Sequence, residues 1–112
     1  MKKIVAIIRA SKFEAVREAL ASVDVRFFTY YEVRGFGLQK AEQMVYRGAI
    51  YDMGYIARYK LEIIIESSKL DLVIGTILKT AKTGEIGDGK IYVESLERVY
   101  RIRTEEEGSS AI

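Results

Sequence analysis

Residues 83–90, Thr-Gly-Glu-Ile-Gly-Asp-Gly-Lys, bring three glycines and a terminal lysine into one short stretch. Glycine admits positive φ and lets backbone N–H groups approach a ligand closely, while lysine adds a point charge for phosphate. Gly84 to Lys90 fit the opening of the phosphate-binding pattern G-x-x-x-x-G-K. Ile91 then stands where that pattern needs a magnesium-binding Ser or Thr. The stretch also follows a helical pattern and precedes a strand-like one, which reverses the order of a P-loop. It suits an anion without being a Walker motif. Arg101 and Arg103 alternate near the C-terminus, and two guanidinium forks on one strand face can grip phosphate bidentately. A solvated strand face is the plainer account of those two arginines. Gly35 and Gly37 permit close backbone approach at another strand end.

Catalysis finds little support in the composition. The chain of 112 residues contains no His and no Cys, which removes the usual general base, the thiol nucleophile and the thiolate metal site. Glu62, Asp88 and Glu97 are available as acids or bases, but no spacing among them compels an active site. Nucleic acid fares no better, because a net charge of +2 provides no strong field. Arg34-Gly35-Phe36-Gly37 opens like an RNA-recognition signature, then fails at Leu38 and Ala41, where aromatics are expected. The apolar run at the start is too short for a signal peptide or a membrane span, so a cytoplasmic address with no membrane insertion is the expectation. A small-molecule sensor of an anionic ligand is the class that the residues favour.

The elements that position these residues follow from hydrophobic period. Residues 3–9 form a β-branched run that reads as a buried strand. Ser11 with Glu14 reads as a capping box, and Phe13, Val16, Leu20 and Val23 give the helix its apolar stripe. Over residues 25–34 the period becomes two, with Phe28 and Tyr30 opposite in sense to Thr29 and Tyr31. Residues 37–58 lack apolar periodicity, and the 39–46 half has helix propensity. A connection so long is a functional loop or a surface excursion. Residues 59–66 alternate again. Ser68 and Asp71 read as the start of a second helix, with Leu70, Val73, Ile74, Ile77 and Ala81 as its buried stripe. Residues 90–94 make a strand, residues 99–103 a short extra strand, and the 104–112 tail is expected to fray. The order is a ferredoxin-like βαββαβ sandwich of the α+β class. Its open sheet face, carrying Phe28, Tyr30 and Ile64 or their alternates, is expected to be covered by oligomerisation.

Taken together, the residues resemble the PII family of nitrogen signal-transduction proteins over essentially the whole chain. One family signature reads here as Thr83 followed by Gly87-Asp88-Gly89-Lys90-Ile91-Tyr92-Val93. The other reads Tyr46-Arg47-Gly48-Ala49-Ile50-Tyr51, with Ile50 in place of the family's Glu. Arg101-Ile102-Arg103-Thr104 and the Met1-Lys2-Lys3-Ile4 start also match. The resemblance implies a single PII-like domain over 1–112 and a homotrimer with ATP or ADP in the clefts between subunits. The nucleotide contacts it implies are Thr83, Gly87, Asp88, Gly89, Lys90, Arg101 and Arg103, with Thr29, Gly35, Gly37 and Glu62 on the adenine and ribose side. It implies Mg²⁺ with ATP at Gln39, and 2-oxoglutarate at Gln39, Lys40 and Arg58. It also implies a non-enzymatic regulator whose T-loop, residues 37–58, docks onto an ammonium channel, a metabolic enzyme or a transcription regulator. The glycine-rich nucleotide loop is 82–90, and Tyr51 matches a tyrosine that some bacteria nucleotidylate. Leu38, Ala41, Arg58 and Glu105 stand where the family has Arg, Gly, Lys and Gly. A divergent PII-like sensor that binds adenine nucleotide but answers to another effector is the alternative.

Overall fold

The computed structural model describes residues 1–35, 45–46, 49–50 and 57–112. Gly37, Gln39, Lys40 and Tyr51, with Leu38 and Ala41, lie outside the described residues.

Strand β1 (Lys2–Arg9) is the β-branched run of the N-terminus, and Ile4, Val5, Ala6 and Ile8 are buried along it. The chain then passes through a 3-10 turn, Ala10–Lys12, into helix α1 (Phe13–Ser22). Ser11 therefore lies inside the turn rather than ahead of the helix, and no side chain caps α1. The same entry recurs in the second half. A 3-10 turn, Ser67–Lys69, leads into the second helix, and Ser68 within it makes no capping bond. Both expected caps are corrected for one reason. The last extended residue is Arg9 in one case and Glu66 in the other, two positions ahead of Ser11 and Ser68. Each serine therefore already lies within the 3-10 turn and not at the extended position that a cap needs.

Strand β2 (Thr29–Val33) is followed by a short ladder of β3 (Val45–Tyr46) on β4 (Ala49–Ile50). Where a helical turn is expected over 39–46, Val45 and Tyr46 are extended. Strand β5 (Arg58–Ile65), helix α2 (Leu70–Ala81) and strand β6 (Lys90–Ser95) complete the order. The main sheet runs β2-β5-β1-β6, antiparallel throughout, with both helices on one face. Val16 and Leu20 of α1 and Val73, Ile77 and Ala81 of α2 pack on Ile4, Ala6, Ile8, Leu61, Ile63 and Ile65. Burying this many branched side chains, each contributing about 1.5–3 kcal/mol, is what holds the layers together. The fold is the α+β ferredoxin-like arrangement.

Register decides which residues the open face carries. Tyr30 lies opposite Leu61, a core residue, and its ring packs 4.5 Å from that of Phe13 on α1. Phe28 also packs on Phe13, at 6.3 Å. Phe28 and Tyr30 thus join the helix side, and their alternates Thr29 and Tyr31 share the open face with Lys60, Glu62 and Ile64. Across that face Lys3 bridges Glu62 at 3.3 Å and Glu94 at 3.9 Å. Hydrogen bonding to Tyr31, and then to Tyr92, holds the Lys60 ammonium above its ordinary pKa.

The expected strand at 99–103 does not form. Tyr100 makes a single bridge with Glu107, the Arg101 N–H donates to the Glu106 carbonyl at 2.9 Å, and the Glu105 N–H donates to the Arg101 carbonyl at 2.8 Å. Arg101 and Arg103 therefore flank a turn and do not share a strand face. Nor does the tail fray. The Gly108 N–H donates to the Val99 carbonyl at 3.0 Å, and Gly108–Ala111 closes as a 3-10 turn. Glu105 sits at φ +59°, in the left-handed region that costs a side chain about 1–2 kcal/mol. Glu105→Gly is expected to stabilise the fold by about 0.5–1 kcal/mol, read as a higher denaturant midpoint. An unchanged or lower midpoint would refute that reading of the turn.

Candidate functional site

Helix α2 stops at Ala81 because Lys82 turns extended. The chain then makes a tight loop in which Gly84, Gly87 and Gly89 take φ of +89°, +103° and +95°. The loop is organised by Asp88. Its carboxylate accepts the Thr83 hydroxyl, the Thr83 N–H at 2.9 Å, the Gly84 N–H at 3.0 Å and the Arg9 Nε at 3.0 Å. The Thr83 hydroxyl oxygen in turn accepts the Glu85 N–H at 3.1 Å. Thr83 and Asp88, which the sequence offers as ligand contacts, also bond to one another and shape the loop.

These bonds, the Thr83 hydroxyl foremost and then its N–H, hold the Asp88 carboxyl well below its ordinary value of 3.8, despite the opposing effect of burial. Because the folded value lies below the unfolded one, this carboxylate contributes stability above the ordinary value. That contribution is lost only as pH falls through the folded value. Asp88 is expected to stay ionised at about pH 3, where an ordinary Asp is mostly protonated. A carboxyl ¹³C titration of the folded chain checks this, and a midpoint near the ordinary value would contradict it.

Gly89 makes the closest approach. A Cβ there would lie 1.8 Å from the Ile7 carbonyl oxygen of β1. Lys90 follows at once, opens β6 opposite Ile7 and is exposed. No ion pair engages it among the described residues. A cleft of about 410 Å³ lies beside it, walled by Ile77, Leu78 and Ala81 of α2 and by Gly89 and Ile91.

Two arginines from elsewhere hold the loop. The Arg9 Nη2, at the end of β1, donates to the Ile86 carbonyl at 2.8 Å, and the Arg58 Nη2, at the start of β5, donates to the Gly87 carbonyl at 3.3 Å. Arg58 also lies against Gly35, where a Cβ would come 2.5 Å from its Nη1. The Arg58 Nε is buried without a hydrogen-bond partner among the described residues. Gly35, Arg58 and residues 83–90 are thus one contiguous group. Thr29 and Glu62 form a second, opposite each other on the open face, with Glu62 already paired to Lys3. Arg101 and Arg103 form a third, past the far end of β6. Arg101 donates to Glu106 Oε1 and to the Ile112 carbonyl, each at 3.3 Å, while Arg103 is exposed and unpaired among the described residues. Sequence reasoning missed Arg9, whose only signal was a cation closing a β-branched run.

Among the described residues no group of His, Cys, Asp or Glu is arranged to hold a metal ion, and no helix is long and apolar enough to cross a membrane. The sequence model of the family described as "Nitrogen regulatory protein P-II" matches residues 1–106. Similar proteins include the nitrogen regulatory protein P-II of Pasteurella multocida and the nitrogen regulatory protein P-II 1 of Escherichia coli K12. Each is 49% identical over 112 residues, covering 100% of both chains. The P-II protein of Klebsiella oxytoca matches to the same extent, 49% identical over 100% of both chains. With two adjoining halves that share a strand-to-helix plan, a glycine loop braced by Asp88 and matches running the length of the sequence, the chain belongs to the P-II family of nitrogen regulatory proteins, signal-transduction regulators of nitrogen metabolism rather than enzymes.

Proposed function

We propose that this regulator is a cytoplasmic homotrimer that binds ATP and ADP competitively in clefts between its subunits. In this reading Gly87, Gly89 and Lys90 of one subunit hold the polyphosphate together with Arg101 and Arg103 of the next. Thr29, Gly35, Gly37 and Glu62 line the adenine and ribose side. Magnesium with ATP, together with 2-oxoglutarate, engages Gln39, Lys40 and Arg58. The 37–58 loop carries the signal to a target protein, because only a ligand with different affinities for two loop arrangements can shift them.

The observation that carries the reading is the separation of the two cationic groups. Lys90 pairs with Ile7 and Ser95 with Lys2, so β6 runs about 17 Å along β1 before the segment bearing Arg101 begins. At the far end the Leu96 N–H donates to the Met1 carbonyl. No hydrogen bond or ion pair among the described residues joins 97–112 to the glycine loop. That separation supports a site in which a second copy supplies Arg101 and Arg103 to the polyphosphate held by Lys90. The unpaired buried Nε of Arg58 supports an anion at the loop base.

A second reading is favoured by the bond from Arg58 to the Gly87 carbonyl, which engages part of the fork that a dicarboxylate needs. It is a sensor that binds adenine nucleotide and answers to an effector other than 2-oxoglutarate. Calorimetric titration with Mg-ATP, with and without 2-oxoglutarate, separates the two. Mutual enhancement supports the first, nucleotide binding without enhancement supports the second, and no binding of ATP or ADP refutes both.

A further inference from the structure

Ile86 and Gly87 offer successive carbonyls, and each is held by a guanidinium group from a different strand, Arg9 of β1 and Arg58 of β5. Every described peptide bond is trans. In a planar trans peptide the N–H points opposite to the C=O. The N–H paired with the Ile86 carbonyl belongs to Gly87, and the one paired with the Gly87 carbonyl belongs to Asp88. Both therefore point away from the two arginines, and neither finds an acceptor among the described residues. The neighbouring N–H groups behave differently, since those of Thr83, Gly84 and Glu85 are consumed inside the loop. With Gly87 at φ +103°, adjacent amides of this kind form a concave, partly positive surface for an anion.

We propose that Arg9 and Arg58 are positioning residues, a two-guanidinium brace that turns the Gly87 and Asp88 amides outward to receive a polyphosphate. Arg9 contributes twice, because the same fork that holds Ile86 also neutralises Asp88, which otherwise repels an anion. Arg58 also lies against Gly35, just past the end of β2, where an added Cβ would come 2.5 Å from its Nη1. The proposal rests on the polyphosphate reading of this loop. It gives Arg9 and Arg58 a part in shaping the polyphosphate loop, separate from any contact that Arg58 makes with 2-oxoglutarate.

The test uses the full chain and four variants, Arg9→Met, Arg58→Met, Arg9→Lys and Arg58→Lys. Backbone amide shifts and hydrogen exchange at residues 83–89 are recorded without ligand, and affinities for ATP and for inorganic tripolyphosphate are measured alongside. Each Met variant is expected to shift the Gly87 or Asp88 amide and to lower both affinities by about ten-fold, with the thermal midpoint little changed. The Lys variants, which keep one donor to the loop, are expected to recover part of the loss. If the Met variants leave the amides in place, or bind within about two-fold of the unmodified chain, the brace is wrong. If the unmodified chain binds neither ATP nor tripolyphosphate, the nucleotide reading falls, and the ligand-free amide data decide whether the two arginines set the loop's shape.

Discussion

Replacing Gly89 by alanine is expected to destabilise the protein by about 3 kcal/mol or more. Two costs add. At φ +95° a side chain is strained by about 1–2 kcal/mol even in open space. Here the space is also closed, with the Ile7 carbonyl oxygen 1.8 Å and its carbon 2.8 Å from the new Cβ. Both are backbone atoms of the strand that pairs with β5 on one side and β6 on the other, so no rotamer change relieves the clash. The start of β6 must lift from β1 and forfeit the ladder around Ile7 and Lys90. Gly84→Ala is the control, because its φ is similar at +89° and nothing lies within 4 Å of the added atom. That variant is expected to lose about 1 kcal/mol. Denaturant midpoints compare the two, and equal losses would show that the contact with Ile7 is not what selects glycine.

The second large effect concerns ligand. Lys90→Ala and Arg103→Ala are each expected to weaken ATP binding by about a hundred-fold, since each removes a charge-assisted contact to polyphosphate in the proposed site. Neither residue is buried in the subunit core, and both variants should fold normally. When the two variants are unfolded together and refolded as mixed assemblies, some sites recover. In a random trimer about a quarter of the clefts join an intact Lys90 to an intact Arg103 across a boundary. Recovery of tight binding to roughly that fraction of sites is the expected calorimetric result. A mixture that binds no better than its parents would mean that both residues act within one chain, and the inter-subunit site would be misplaced.

Much of the fold was legible because it depends on local period and a few buried residues. The stripes of α1 and α2 and the alternation of β5 translate directly into Val16, Leu20, Val73, Ile77, Leu61 and Ile63 in the core. What failed had a shared cause. Ser11 and Ser68 look like caps when only spacing is considered, but a cap needs extended backbone at the serine, and the 3-10 turns move that conformation to Arg9 and Glu66. The alternation of residues 99–103 suggested a strand, yet alternation specifies a face only if a partner strand exists, and the tail supplies one bridge at Tyr100. The sense of β2 was open until register was known. Pairing Tyr30 with Leu61 carries Phe28 and Tyr30 to the helix side and leaves Tyr31 outside. In the site, the glycines and Lys90 stood out by type, whereas the duties of Arg9, Arg58 and Asp88 depend on contacts between distant segments. The hydrogen bond between Arg9 and Asp88 spans 79 positions, which no local pattern encodes.

Arg101 and Lys90 are both cations, but they meet solvent ions on unequal terms. Among the described residues Lys90 has no internal anion to surrender. Arg101 already holds the Glu106 carboxylate and the Ile112 carbonyl, so an anion arriving there performs an exchange in which one acceptor leaves as another enters. Added salt screens the departing pair as well as the arriving one, with side chains 38% and 42% exposed, and the two effects largely cancel. Were these three cations to hold one anion, its ionic-strength dependence would be carried mainly by Lys90 and Arg103. Arg101 would add little to it, because its bond to Glu106 is given up as the anion arrives.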